Sequence, residues 1–348
     1  YLSKVRDSIN DGTNVYTVLK TKEGNLKDFC FCDIAQYGAL MVTKSFESPS
    51  VLLDYFYAER DSLSRIKQKA NDLFKLLINT SERTQRRVQN QREELKECKD
   101  REKYRIYGDL ITSNLYALQK GMAYAEVQDF YDENCPTVKI PLDKRLTPTQ
   151  NAQKYYKEYR KLDTAEKKLT VLIAEGEQEV KYLDSVFDSL TRAQTEGDIA
   201  ELREELFQEG YVKRSKFKGK PPKALPPIRY RSSDGYEIRV GRNNKQNDRL
   251  TCKEAEKTDL WLHVKDITGS HVIVTCDGEM PPDRTIEEAA IIAACNSKGR
   301  NSSRVDGDYT FIRNVKKPNG SKPGMVIFTN NYTITVKPDT ELEEKLRV

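Results

Sequence analysis

The sequence predicts an α+β protein in which a long antiparallel coiled-coil hairpin with a small tip knob precedes a compact mixed α+β domain. Two observations carry this. Before residue 212, two long stretches space their apolar residues in steps of three and four; beyond 228, apolar residues gather in short strand-like runs. Between them lies a basic run from 213 to 227 that contains Pro221-Pro222 and Pro226-Pro227. Repeated prolines cannot continue a helix and favour stiff extended chain, so this run is read as a linker.

Residues 1–47 open with a short helix or loop at 1–14. Strands at 15–20 and 29–34 then flank Lys22-Glu23-Gly24-Asn25, a hairpin-turn sequence. Ser48-Pro49 starts the first long helix, a serine cap followed by a proline that has no amide to leave unpaired. Its seam runs through Leu63, Ile66, Ala70, Leu73 and Leu77, the heptad spacing of a coiled coil. Thr147-Pro148 starts the second, whose seam is Leu162, Ala165, Leu169, Leu172, Gly176, Val180, Leu183, Phe187 and Leu190. Facing layers of an antiparallel pair have residue numbers of constant sum. Pairing 63 with 190, 66 with 187, 77 with 176 and 88 with 165 gives 253 each time, which sets the expected register. Each arm is then roughly 70 Å long at 1.5 Å per residue.

Between the arms, Gly108, Gly121, Pro136 and Pro141 break the segment 104–146 into a small helical knob with an extended piece at 137–142. Coiled coil and knob together are assigned 48–212. Arg83, Arg86 and Arg87 on one arm, and Tyr155, Tyr156 and Tyr159 on the other, are read as solvated helix faces.

The last domain, 228–348, shows strand-like runs at 236–240, 260–264, 272–276, 309–313, 325–329 and 332–336. One helix is expected at 285–296, capped by Thr285, with Glu287 and Glu288 favourable in its first turn. Asn330-Asn331 is read as a tight hairpin turn joining the last two strands, because Asn tolerates left-handed backbone.

Composition narrows the function. Charged residues make up 32% of the 348 and mean hydropathy is −0.75, so no window approaches the length of a membrane span. No secretory leader opens the chain, and a first residue of Tyr1 rather than Met suggests a missing N-terminus. Seven scattered Cys without a CxxC pair suit reduced thiols in a cytoplasmic protein, and two His argue against a His-rich metal site. The net charge of +5 is unevenly divided. Residues 217–348 hold 23 Lys and Arg against 18 acids, while 1–216 hold 36 of each. A neutral, densely charged spacer carrying a basic binding module is the expected arrangement.

Three constellations stand out in the basic domain. Arg242, Asn243, Asn244, Lys245, Gln246 and Asn247 form a loop after a strand, rich in planar groups able to contact phosphate, ribose or base edges. The same loop also reads as an Asn-rich surface turn. Leu260, Leu262 and Val264 alternate with Trp261 and His263, followed by Lys265. Trp261 beside His263 suits either a base-stacking platform or a core position. His271 follows Gly269-Ser270, but no acid is placed to complete a nucleophilic set and no GxSxG elbow occurs. Lys316, Lys317 and Lys322 lie in a basic Gly/Pro loop that could cradle phosphate or simply be a soluble hairpin; it is not a P-loop. No catalytic residue, cofactor site or metal site is expected.

At 241–248, 259–263, 269–272, 289–290 and 315–324 the sequence resembles the RNA-binding part of the NFACT family, RqcH-like ribosome quality-control factors formerly called fibronectin-binding protein A. The helical part is similar at 48–54, 107–110, 141–143, 146–152 and 201–211. The resemblance implies binding to the large ribosomal subunit, through rRNA and ribosomal proteins, when peptidyl-tRNA obstructs it. It further implies recruitment of tRNA to support C-terminal alanine tailing of the stalled chain, with the ribosome making the bonds, so the factor is no enzyme. It places 1–47 at the end of a helix-hairpin-helix region and its returning β-hairpin segment, with the family's N-terminal domain and its Asp-Arg pair outside this chain. The protein is expected to be a cytoplasmic monomer without membrane contact. The older family name supplies the alternative, a surface adhesin that binds fibronectin.

Overall fold

A computed structural model describes residues 2–12, 14–21, 26–31, 41–213 and 224–348. The chain divides into two compact units, one from residues 1–75 with 192–225 and the other from 76–191 with 226–348. The division therefore cuts the long helices and differs from the boundaries at 47 and 212 read from composition.

In the first unit, helix α1 (Leu2–Asn10) precedes an antiparallel sheet of order β2-β1-β3. Its strands are β1 (Tyr16–Thr21), β2 (Leu26–Cys30) and β3 (Met41–Phe46). The predicted turn at 22–25 and the end of the second predicted strand lie outside the described residues. Strand β3, absent from the expectation, pairs with β1 along its whole length. Helix α2 (Pro49–Glu97) starts as predicted, the Val51 amide donating to Ser48 Oγ at 3.3 Å. Val18, Leu52 and Phe56 form the core here, with the Phe29 ring 4.8 Å from Phe56.

In the second unit, a 3-10 turn at Cys98–Asp100 separates α2 from α3 (Arg101–Ser113). The hairpin of β4 (Tyr124–Gln128) and β5 (Thr137–Pro141) and the start of α4 (Pro148–Arg192) complete the knob. Leu110, Ile111, Ala125, Val127, Ile140 and Ala152 are its core. The knob thus has a second strand that its sequence did not announce. Gly108 is required by close approach, since a Cβ there would lie 2.7 Å from the Tyr156 ring.

Residues 76–113 run antiparallel to 148–191, as ion pairs show: Arg87 with Glu179 at 2.7 Å, Arg92 with Glu177 at 2.6 Å, and Arg101 with Glu166 at 2.7 Å. The register differs from the expectation. Val88, not Leu77, faces Gly176, where a Cβ would fall 2.4 Å from Val88 Cγ2. Replacing 77 by 88 is a slide of 11 residues, or about three helical turns, which leaves the apolar stripe facing the same way. Seam spacing alone could not distinguish the two registers. The pairs expected for Leu63 and Ile66 lie outside the described side chains.

Helix α5 (Glu196–Gln208), in the first unit, opens with a capping box between Thr195 and Asp198. The linker read at 213–227 lies mostly outside the described residues.

The chain from 226 onward builds an antiparallel sheet of order β13-β10-β8-β9-β7-β6. Its first strands are β6 (Ile228–Arg231) and β7 (Glu237–Val240). Helix α6 (Asn244–Arg249) intervenes before β8 (Leu260–Val264) and β9 (Val272–Val274). Helix α7 (Asp283–Cys295) packs on one face, its Ala289, Ala290 and Ala293 joining Leu260, Leu262, Val264, Val272 and Val274 in a single apolar cluster. The cap of α7 is Pro282, and Thr285 lies buried with its hydroxyl donating to Asp234 at 2.7 Å. After β10 (Val305–Phe311), the short strands β11 (Val315–Lys316) and β12 (Ile327–Phe328) pair only with each other. Strand β13 (Tyr332–Val336) pairs with β10, and α8 (Thr340–Leu346) closes the order. Strands β12 and β13 therefore form no hairpin, although Asn330 does take the left-handed backbone expected of it, at φ +51°.

The register predicts a specific rescue. Gly176→Leu drives a side chain into Val88 and should cost roughly 1–3 kcal/mol in a urea titration. Val88→Ala in the same chain should recover part of that loss, whereas Leu77→Ala should not.

Candidate nucleic-acid interface

The Asn-rich run folds inward. Gly241, just after β7, admits no side chain, since a Cβ there would overlap Asn247 Oδ1. Asn243 caps α6, accepting from the Gln246 amide at 2.9 Å, while Gln246 Oε1 accepts from the Arg242 amide at 3.1 Å. Asn247 Oδ1 accepts from the His271 amide at 3.1 Å, and Asn244 Nδ2 donates to Ser185 Oγ of α4 at 2.8 Å. Asn243, Asn244, Gln246 and Asn247 are all buried. These amides hold the segment in shape; they are not presented to a base edge.

The aromatic strand behaves similarly. Trp261 is 1% exposed and packs with Leu250, Ile273 and Ile312, its ring 4.8 Å from Phe328. The platform reading is thereby corrected, since a buried indole has no face for an incoming base. His263 is half-buried and stacks on Trp261 at 5.8 Å. His271 is buried and shares a 2.7 Å hydrogen bond between its Nδ1 and Thr251 Oγ1. Burial, reinforced by neighbouring His263, pushes the His271 pKa down to about 3; burial also lowers that of His263. Both rings are neutral near pH 7.

The basic loop at 316–324 lies against α6. Lys317 pairs with Asp248, whose other carboxylate oxygen accepts from the Gly324 amide at 3.1 Å. Gly324, at φ +78°, leaves no room for a side chain: a Cβ would fall 2.6 Å from Asn244 Oδ1. Lys322 sits over the ring of Tyr182 at 5.4 Å. The two predicted loops do share one surface, joined through Asp248 and Asn244. Lys316 and Lys317 are exposed on it, and Arg242, Lys245 and Lys322 are half-buried. Lys265, exposed beyond β8, lies outside this cluster.

The sequence reading overlooked a second basic element. Lys298 Nζ donates to both carboxylate oxygens of Asp184, at 2.8 and 3.0 Å, and Arg300 Nη1 donates to Asp188 at 3.3 Å. Thr268 Oγ1 adds a bond to Asp184 at 3.1 Å. The last turns of α4 are thus seated on the sheet domain through polar contacts. Two signals were available: acids four residues apart near a helix end, and three cations between 297 and 304 without an acid. Among the described residues no cluster of His, Cys, Asp and Glu is arranged to hold a metal ion.

Two family models match the chain and meet where the six-stranded sheet begins. Residues 2–224 match the NFACT N-terminal and middle domains, and residues 227–330 match the NFACT protein RNA binding domain. The chain belongs to the NFACT family. Its RNA-binding domain is therefore the sheet that carries both basic loops. The chain is 40% identical over 307 residues to the Rqc2 homolog RqcH of Bacillus subtilis, covering 87% of this chain and 53% of that protein. It is 38% identical over 304 residues to the Rqc2 homolog RqcH of Streptococcus suis, covering 87% and 54%. The chain spans about half the length of the curated relatives it matches. A solved structure of the C-terminal part of the fibronectin/fibrinogen-binding protein from Streptococcus suis superposes with a TM-score of 0.64 at 34% identity, covering 82% of this chain and all of that one. No helix among the described residues is long and apolar enough to cross a membrane.

The buried imidazole gives a pH test. Above the ordinary pKa of 6.5, His271 is neutral both folded and unfolded and adds no pH dependence. As pH falls below that value, only the unfolded chain takes up the proton, so stability drops by at most about 1.4 kcal/mol per pH unit until pH approaches the folded value. Urea midpoints between pH 7 and 4.5 should decline, and His271→Gln should make that decline shallower while leaving the share that His263 contributes.

Proposed function

We propose that this NFACT chain is the RNA- and ribosome-binding part of a ribosome quality-control factor. In this reading it engages large subunits obstructed by peptidyl-tRNA, and with the rest of the protein recruits tRNA for alanine tailing of the stalled nascent chain. The chain contributes binding and reach, and the ribosome makes the peptide bonds. The observation that carries the reading is the basic surface on the RNA-binding domain, where Lys316, Lys317, Lys322, Arg242 and Lys245 converge around α6. The antiparallel helices, read as a coiled-coil hairpin, serve as a spacer. Their knob supports a contact of its own through exposed Tyr116, Tyr124 and Phe130.

The test is sedimentation of the chain with large subunits that carry peptidyl-tRNA, compared with empty subunits; equal, salt-insensitive recovery from both would refute the proposal. In a titration against rRNA fragments, affinity should fall as salt rises. Replacing Lys316, Lys317 and Lys322 together by Ala should flatten that slope by up to about three phosphate contacts and weaken binding to many RNAs alike. A variant that keeps the parent slope would place the RNA surface elsewhere.

A further inference from the structure

We propose that the turn at 297–304 is a second RNA-phosphate site of this domain, closed in this structure by the carboxylates of Asp184 and Asp188. The proposal rests on the RNA-binding reading above and extends it to residues that reading did not use. The turn carries Lys298, Arg300 and Arg304 with no acid among them. It is stiff. Ser297, fully buried, donates from its hydroxyl to the Ala294 carbonyl at 2.7 Å, and the Gly299 amide donates back to that hydroxyl at 3.0 Å. A Cβ at Gly299 would lie 2.8 Å from Ile267 and 3.0 Å from Val305, so the turn sits directly on the sheet domain. Cations held on a rigid turn lose little freedom when they meet an anion.

The two pairs differ: Asp188 beneath Arg300 is only 5% exposed, while the Lys298 pair is open to solvent and is the one an incoming anion would displace first. The side chains of Lys298 and Asp184 are 59% and 40% exposed, and exposed pairs of this kind are weak and screened by salt. Asp188 also lies about one turn from the C-terminal end of α4, where the helix dipole disfavours negative charge. Two carboxylates one turn apart offer Lys298 and Arg300 paired anionic oxygens, a pattern that two successive phosphates reproduce charge for charge. RNA binding additionally releases condensed counterions, which a carboxylate cannot match. Both basic elements touch the last turns of α4, Lys322 and Asn244 at Tyr182 and Ser185, Lys298 and Arg300 at Asp184 and Asp188, so phosphates arriving beside that helix end would compete with its carboxylates for the turn's cations.

The experiment uses the full 348-residue chain and a fluorescently labelled RNA duplex of about two helical turns, titrated at several salt concentrations. Asp184→Asn with Asp188→Asn should bind several-fold more tightly than the parent at moderate salt, with a slope steeper by up to about two phosphates. Adding Lys298→Ala and Arg300→Ala to that variant should abolish the gain. Asp184→Asn alone, at the more exposed of the two acids, gives the same comparison with a smaller gain if the double variant fails to fold. Unchanged affinity and slope on removing the carboxylates, or a gain that survives loss of the two cations, would overturn the proposal and leave the contact as a structural clasp. A parent chain that binds no RNA at any salt would instead refute the underlying reading, and this proposal with it.

Discussion

A single buried amide holds the basic surface together. Asn244 opens α6, donates to Ser185 on α4, and fills the space that Gly324 leaves by having no side chain. Three segments distant in sequence meet at that residue: a helix that ends an arm, a turn that follows β7, and the loop between β11 and β12. Leaving a buried amide without its partner costs about 1–3 kcal/mol, comparable to several exposed ion pairs. Lys317 and Lys322 take their places from Asp248 and the Tyr182 ring, on a frame that this neutral contact joins.

The arrangement divides labour between two kinds of polar group. The amides and the neutral His271 imidazole are buried, where a charge would be costly to desolvate. Lysines and arginines stay at the rim, where charge is tolerated and a polyanion can reach it. The arm follows another rule. Its cross-helix pairs, such as Arg87 with Glu179, are half-exposed and worth little individually, but they distinguish one three-turn setting of the helices from the next.

Long-range features of the fold were legible because they repeat. Proline after a capping residue marked the starts of both long helices, and alternation placed Leu260, Leu262 and Val264 on the α7 side of the sheet with Trp261 on the other. Register was not legible, because an apolar stripe looks the same after a slide of three turns, whereas the decisive fit of Val88 to Gly176 is local and steric. The candidate site was half legible. Charge excess and loop composition pointed to the right segments, and the two loops do come together. Yet Asn243, Asn247 and His271 carry the same atoms whether they cap a helix or read a base, and only burial separates the two uses. Lys298 and Arg300 escaped notice because their partners lie more than a hundred residues away.

The seat of α4 also has a mechanical consequence. The helix runs 45 residues, so its far end stands about 58 Å from the middle of a fulcrum only three turns deep. A tilt of about 5° at that fulcrum sweeps the opposite end through about 5 Å. Small side chains at the short end of such a lever therefore govern angular tolerance at the long end. Stiffness here is a question of aim, and a methyl group added beside Asn244 would be felt most where no atom of it is near.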